Sequence, residues 1–427
     1  MNYFSNSVRA LKARFSQFAE EITQGFTLPE KKLVADLLWG LLKGGKVFVS
    51  DIARALHERN TLDSTEVRLT NGIKTFNYGK LDDAIAKRVF SVFSEPYSLC
   101  IDESDIGKEQ STKLESLCQV RDGSKSGDVL HTGYHMTGLG AVGGSRKNIM
   151  VLKLDIWSST AKGFLSSNSQ TQEIIKNTAF LIGERHFEMS LDRGYDDAEM
   201  MNFLDKYGLF YCIRAKSNRK YDYRGKKCNI EELAGKLKGK YIQTFTDSDG
   251  NHREVKCTGI SVSHQDLDHD VMLVMERFSE TDVRFYITNR VDTTRKGVMD
   301  AIRLYRKRWR IEEVFRFAKQ EFRLEKYLVR SMNAMNVLSS IVALAVNFIT
   351  EIIMRKDSLY QVCRQCYPKF LSQQRKEEAF ISRDRFALEL YHIGTGLRYI
   401  MGHAERRPET KRRIRRKLAE QLTIFNS

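Results

Sequence analysis

Apolar residues recur at three- and four-residue steps over residues 7–25 and, after Pro29, over 30–42, the spacing of amphipathic helices. Ser50 is placed to cap a short helix, DIARAL, and Asp63 or Ser64 to open another, TEVRLTNGIKTF. The polar loop HERNTLD joins them, so the pair resembles a helix-turn-helix whose second helix offers Arg68 and Lys74 to DNA. Any helical bundle offers such pairs as well. From Ser98 the pattern shortens. SLCID is an apolar run ending on Asp102, VLHTGYHMTGLGAV alternates weakly, and IMVLKLDIW and HFEMSLDRG read as strands, the last ending on Asp192. Asp196 or Asp197 caps the helix DAEMMNFLDKYG, which stops at Gly208, and LFYCIRAK is a buried strand. Strands followed by a helix predict an α/β layer.

Residues 217–290 change character again, with turn residues, a hairpin expected around Asp249-Gly250, and the strands TGISVS, VMLVMERF and VRFYITN. They read as an all-β insertion between two halves of the α/β domain. After Thr293 the pattern is helical to the end. The expected organisation is an N-terminal helical DNA-binding domain (1–90), a first part of the α/β core (91–216), the β-insertion (217–290), a second part of the core (291–354) and a C-terminal basic helical region (355–427).

Composition narrows the class. The 427 residues carry a net charge of +16, which points to a polyanion, nucleic acid before an anionic membrane. Seven cysteines are too sparse, and odd in number, for a disulfide framework, which fits a reducing cytoplasm. The first residues lack the apolar core and cleavage site of a signal peptide. The most apolar stretch, 337–354, is interrupted by Asn347 and Glu351 and is short for a membrane span, so it reads as a buried core helix and no membrane partner is expected. Eight Lys and Arg residues fall between Arg406 and Lys417, either a solvated face or a contact for DNA phosphate.

The candidate chemistry centres on YRKRWRIEEVFRFAK, residues 305–319. At about 100° per residue, Tyr305, Arg308, Glu312 and Lys319 share an arc of about 60°. Leu304, Ile311, Val314, Phe315, Ala318 and Phe322 form an apolar arc beside it. One carboxylate among fixed cations and a phenol suits a metal ion and a phosphate held side by side. An ordinary amphipathic helix with an Arg308–Glu312 ion pair has the same pattern. Asp102 and Asp192 each follow an apolar strand, where a carboxylate meets solvent from a rigid backbone. With Glu312 they would supply three hard oxygen ligands for Mg²⁺ or Mn²⁺; singly, each is as well explained as a cap or turn residue. Glu103 and Asp105 are read as non-ligands, and Glu313 is farther from the stripe than Glu312. His131 and His135 share one strand face and suit packing or hydrogen bonding better than a metal. Cys363 and Cys366 form a CxxC with no second pair at zinc spacing.

The spacing Tyr305-x2-Arg308-x3-Glu312-x6-Lys319 resembles the YREK signature of bacterial DDE transposases of the insertion-sequence-four family. LCIDESDI around Asp102 is similar to that family's first-Asp strand, and LDRGYDD at Asp192 to its second-Asp motif. The resemblance covers residues 98–330 well and the ends of the chain less. It implies a ribonuclease-H-like catalytic core interrupted by an all-β insertion and flanked by helical regions. It also implies cut-and-paste transposition with two divalent ions per active site, Mg²⁺ or Mn²⁺. Asp102, Asp192 and Glu312 would be catalytic metal ligands, and Tyr305, Arg308 and Lys319 would hold phosphates of the transposon end. Double-stranded DNA, as terminal inverted repeats and as target, is the implied partner, with a homodimer in the synaptic complex and a bacterial, nucleoid-associated, cytoplasmic location. Some members stack a flipped base on a tryptophan of the insertion. This insertion has none, leaving Trp309 beside the motif arginine, or Phe278, Phe285 or Tyr286, as substitutes, and Trp157 as a core residue. The rival expectations are a metal-dependent nuclease without strand transfer and a non-catalytic DNA-binding regulator derived from a transposase.

Overall fold

The computed structural model describes residues 3–93, 97–121, 129–143, 148–182, 187–246, 252–366 and 385–403. The basic run Arg406–Lys417 and the Asp249-Gly250 turn lie outside them. The chain forms two compact units, one of Asn77–Arg316 with Val329–Ala343, the other of Met1–Phe76, Phe317–Leu328 and Leu344–Ser427.

The first unit is built on one mixed sheet. Its strands are β1 (Tyr97–Gly107), β2 (Cys118–Arg121), β3 (Leu130–Gly143), β4 (Asn148–Trp157), β5 (Glu188–Leu191), β6 (Phe210–Arg214), β9 (Tyr241–Thr246), β10 (His252–Val262), β11 (Val271–Arg277) and β12 (Val283–Thr288), while β7 (Lys220–Tyr223) and β8 (Lys226–Asn229) pair separately. The order is β2-β3-β1-β5-β6-β12-β11-β10-β9, with β4 also paired to β3. The stretch β4-β3-β1 is antiparallel, and β5 and β6 run parallel to β1. Three antiparallel strands followed by two parallel ones are consistent with a ribonuclease-H-like core. The near-continuous apolar runs of β4 and β1 are explained by burial on both faces. Lys153, the position of β4 that is only partly buried, pairs with Asp82 (3.1 Å) and Asp155 (3.2 Å).

Three expectations change here. Residues 217–290 include a helix, Ile230–Lys236, so they are not all-β. Nor do they form a separate body: β12 pairs antiparallel with β6, and β9–β12 extend the core sheet. Strand alternation says only that a segment is half buried, while its partner strand is a non-local choice. The helix Tyr78–Val92, expected in the N-terminal domain, belongs to the sheet unit.

Helices of the sheet unit include α6 (Ser167–Ile182), α7 (Ala198–Lys206) and α9 (Arg295–Lys307), α5 and α8 being the two just described. Asp197 caps α7 by accepting from the Met200 N–H (2.8 Å), and Gly208 beyond it takes φ +63°. α9 is capped by Thr294. Val298, Ala301, Ile302, Leu304 and Tyr305 of α9 pack with Cys212, Val255, Cys257, Met272, Val274 and Tyr286 of the sheet.

The second unit is helical. It contains α1 (Tyr3–Ile22), α2 (Leu28–Gly44), α3 (Val49–Leu56), α4 (Leu62–Thr75), α12 (Ser358–Cys366) and α13 (Arg385–His403). A capping box of Thr27 and Glu30 opens α2, and Gly45 closes it at φ +69°. α3 starts before Ser50, with Phe48 at its N-cap, and α4 is capped by Thr61 rather than Asp63 or Ser64, which lie in its first turn. Arg68 on α4 is held by Asp36 (2.8 Å) and Glu58 (2.9 Å), and Lys74 is exposed. The seven cysteines, Cys363 and Cys366 among them, are buried thiols. α11 (Met332–Arg355) is long and apolar enough to cross a membrane, and 94% of its apolar window is buried in the protein.

Candidate active site

The stretch expected to be one helix from Tyr305 to Lys319 is two. α9 ends at Lys307, α10 runs Trp309–Glu321, and Arg308 sits at the break with φ −54° and ψ −36°. The Arg308 N–H donates to the Tyr305 carbonyl (3.0 Å), and the Ile311 N–H to the Arg308 carbonyl (3.0 Å). These three-residue steps replace the four-residue ladder, so the motif arginine sits at a tightened turn. The apolar arc is buried as its phase required: Ile311 and Val314 are fully enclosed.

β1 and β5 place the aspartates. Their parallel register pairs Ser98 with Glu188, Leu99 with Met189 and Cys100 with Ser190, an offset of 90 residues. Asp102 and Asp192 have the same offset, so continuing that register brings the two carboxylates side by side. Asp102 does not end its strand as expected, since β1 runs on to Gly107. It is paired across the other edge with Gly138 of β3. There an added Cβ would lie 2.5 Å from the Phe315 ring and 3.0 Å from Ile311. The missing side chain therefore lets α10 approach the strand beside Asp102, which sets the height of Glu312.

The three carboxylates from β1, the end of β5 and α10 meet around one cation. The Arg308 guanidinium binds the Asp102 carboxylate through Nη1, reaches Glu312 Oε1 at 2.6 Å through Nη2, and has Nε 3.9 Å from Asp192 Oδ1. Arg308 lies above the Tyr305 ring at 5.4 Å, and the Tyr305 hydroxyl donates to Asp192 Oδ1 at 3.4 Å. Asp102 Oδ1 accepts from the Glu103 N–H (2.9 Å). Burial pushes the Asp102 carboxyl up to about 7 despite the opposing pull of Arg308, with Asp192 and Glu312 adding to the rise. Burial also raises Glu312. Burial pulls the Arg308 guanidinium down, but the carboxylates, Asp102 foremost, hold it above its ordinary range. Three carboxylates facing one guanidinium leave a net charge of −2 when all are ionised.

Neighbouring residues separate cleanly. Glu313 is buried and pairs with Arg316 (2.8 Å). Glu103 accepts from the Tyr195 hydroxyl (3.2 Å), and Asp105 faces His131 (3.2 Å). His135 stacks on Trp157 with centroids 4.1 Å apart, and Trp157 donates to the Thr137 hydroxyl (2.9 Å). Trp309 is half exposed. Phe285 and Tyr286 are buried in the sheet's core, and the Tyr286 hydroxyl donates to Glu276 (2.6 Å), so neither is open to a stacking base. Phe278 is partly buried beneath the Arg284 guanidinium at 4.3 Å. Lys319 lies in the helical unit, where it pairs with Glu325 (2.8 Å). Sequence reasoning missed the supporting contacts of Lys307 with Ser98 (2.6 Å) and Arg306 with Glu276 (2.5 Å). The offset of 90 shared by the strand register and the aspartate pair was visible in the sequence but had no meaning before the strands were paired.

The donor set fits a hard divalent cation: three carboxylates within reach of one cationic centre. Among the described residues no three His, Cys, Asp or Glu side chains are already set as a metal cluster, and the Arg308 guanidinium pairs with the three carboxylates.

Residues 166–348 match the family model described as a transposase DDE domain. That match supports a DDE transposase. It spans Asp192, Tyr305, Arg308, Glu312 and Lys319 and begins after Asp102, whose place in the site comes from the strand register. The chain is also similar to a piggyBac transposase, solved by cryo-EM as a synaptic complex with hairpin DNA. The identity is 12% and the TM-score 0.45, over 98% of this chain and 82% of that one. A likeness that distant bears on neither mechanism nor partners. No curated protein matches the chain in sequence.

Proposed function

We propose that this chain is a DDE transposase of the insertion-sequence-four type, which cuts an element from DNA at its terminal inverted repeats and joins it to a target. The observation that carries the reading is the meeting of Asp102, Asp192 and Glu312, from three separate elements, around a single cationic centre in a chain of net charge +16. These three carboxylates would hold Mg²⁺ or Mn²⁺, two ions per site in the family's pattern. Bound divalent ions would supply activation of the attacking oxygen and charge stabilisation at the leaving one. The chain's own residues do the rest. Gly138 and the apolar side of α10 hold Glu312 against β1. Tyr305 orients Asp192 through its hydroxyl. The cations of α9 and α10 and the half-exposed Trp309 would meet the DNA end, as phosphate contacts and a stacking face. The N-terminal helices would grip the repeat through Arg68 and the exposed Lys74 of α4. A homodimer on paired ends and a cytoplasmic location at the nucleoid follow from the same reading.

The test is cleavage of DNA carrying the element's own end by purified protein with Mg²⁺, beside Glu312→Ala. Cutting at the element boundary is expected and should fall at least about 10²-fold in the variant. Equal cutting by both would remove the triad assignment. A target plasmid in the same tube distinguishes strand transfer from a nuclease that only breaks DNA.

A further inference from the structure

A phosphate clamp belongs at the surface, yet Arg308 is 7% exposed and spans all three carboxylates of the site. We infer that Arg308 is a resident placeholder cation, which gathers Asp102, Asp192 and Glu312 in the metal-free protein and is displaced when a divalent ion takes its position. The inference rests on the metal-site reading above and deepens it. Four observations carry it. The guanidinium occupies the middle of the donor set, and among the described residues no ready metal cluster exists around it. Its fit is incomplete: Nε is buried without a hydrogen-bond partner among the described residues, with Asp192 at 3.9 Å. One positive charge faces three carboxylates, so a divalent ion neutralises the site better than the residue already there. Finally, Arg308 stands between α9 and α10 with helical dihedrals and three-residue hydrogen bonds on either side, so a change of its side-chain rotamer leaves both helices intact.

An exit is also visible. The Asp102 side chain is 12% exposed, that of Glu312 27% and that of Asp192 39%, so the cluster opens on the Asp192–Glu312 side. A guanidinium leaving that way arrives at the solvent edge of the site, where a DNA phosphate bound beside the metal would receive it. The arginine would then serve twice, as a stand-in for the metal and afterwards as the phosphate contact. The exchange is of ions only, with no covalent step.

The experiment is Mn²⁺ binding to the full chain without DNA, read from the free-ion electron paramagnetic resonance signal, for wild type, Arg308→Gln, Arg308→Lys and Glu312→Gln. Removing the competing cation should tighten binding at least ten-fold in Arg308→Gln, leave Arg308→Lys near wild type, and weaken binding in Glu312→Gln. Equal or weaker binding by Arg308→Gln, with Glu312→Gln still impaired, would overturn the placeholder and leave the metal site standing. Binding indifferent to Glu312→Gln would overturn the site reading itself, and the inference with it. Trp309 emission in the wild type needs no arginine variant. Saturating Mg²⁺ should shift it, with the shift lost in Trp309→Phe, and emission unmoved by Mg²⁺ would count against displacement.

Discussion

Two arginines of this chain sit among carboxylates, and their surroundings differ in sign. Arg68, in the helical unit, shares Asp36 and Glu58 with Lys32, which lies 2.7 Å and 2.8 Å from them. Two cations meet two anions. The hydrogen bond from Lys32 leads in holding Glu58 below its ordinary range, and the same carboxylates raise Lys32 against the opposing effect of its burial. Lys32 and Glu58 each stabilise the ionised form of the other. Arg308, in the sheet unit, is the cation paired with all three carboxylates, Arg316 acting on Glu312 besides, and burial above all pushes Asp102 up to about 7. In charge the first cluster balances, although Arg68 Nε, like Arg308 Nε, is buried without a hydrogen-bond partner among the described residues, while the second carries more carboxylates than paired cations. An ion-pair network that balances its charges is architecture. One that is buried and short of cations is a place for a ligand.

The comparison breaks most sharply on catalysis. Glu312→Gln should cost at least about 10²-fold in end cleavage, whereas Glu58→Gln should leave the cleavage rate within about two-fold, both read in the same assay. Equal losses would mean that the two clusters are not different in kind. Packing comes next. The site depends on a close approach that the Arg68 cluster does not need, so Gly138→Val should destabilise the protein by about 1–3 kcal/mol in denaturant titration. The added carbons would collide with Phe315 and Ile311. A variant as stable as wild type would show that α10 does not rest on that strand.

Charge removal then sharpens the contrast in metal-free protein. Asp192→Asn relieves like-charge repulsion and should leave the melting temperature unchanged or raise it, while Asp36→Asn should lower stability by up to about 1 kcal/mol. Parallel losses in the two variants would deny that the site is over-supplied with negative charge. The smallest effect is in pH. Because Glu58 is lowered, its contribution is present above the ordinary carboxylate range, near pH 4.5, and is lost as pH falls through its lower folded value. Lys32 is raised, so its contribution is full below about 10.5 and is lost as pH rises through its higher folded value. The stability difference between wild type and Glu58→Gln should therefore be greatest in the neutral range and shrink at both extremes. A difference that grows on acidification would reverse the sign assigned to this cluster.

The amino-acid sequence by itself determined which residues are buried on each element and which carboxylate of the Glu312–Glu313 pair faces Arg308, because side-chain phase is local. Its periodicities marked β1, β4, β5, β6, α7 and α10 closely enough to make Asp102, Asp192 and Glu312 candidates, and the family resemblance gave them their expected roles. Ends were less legible. Phe48 and Thr61, not Ser50 and Asp63, stand at the helix starts, since competing cap residues lie within two or three positions of one another. Tertiary structure alone decided that β12 joins β6, that the 90-residue offset places two aspartates side by side, and that Arg308 is buried against Asp102. Strand partners and a buried cation's neighbours are chosen by packing across the whole chain, and a local pattern of apolar and polar positions carries no term for them.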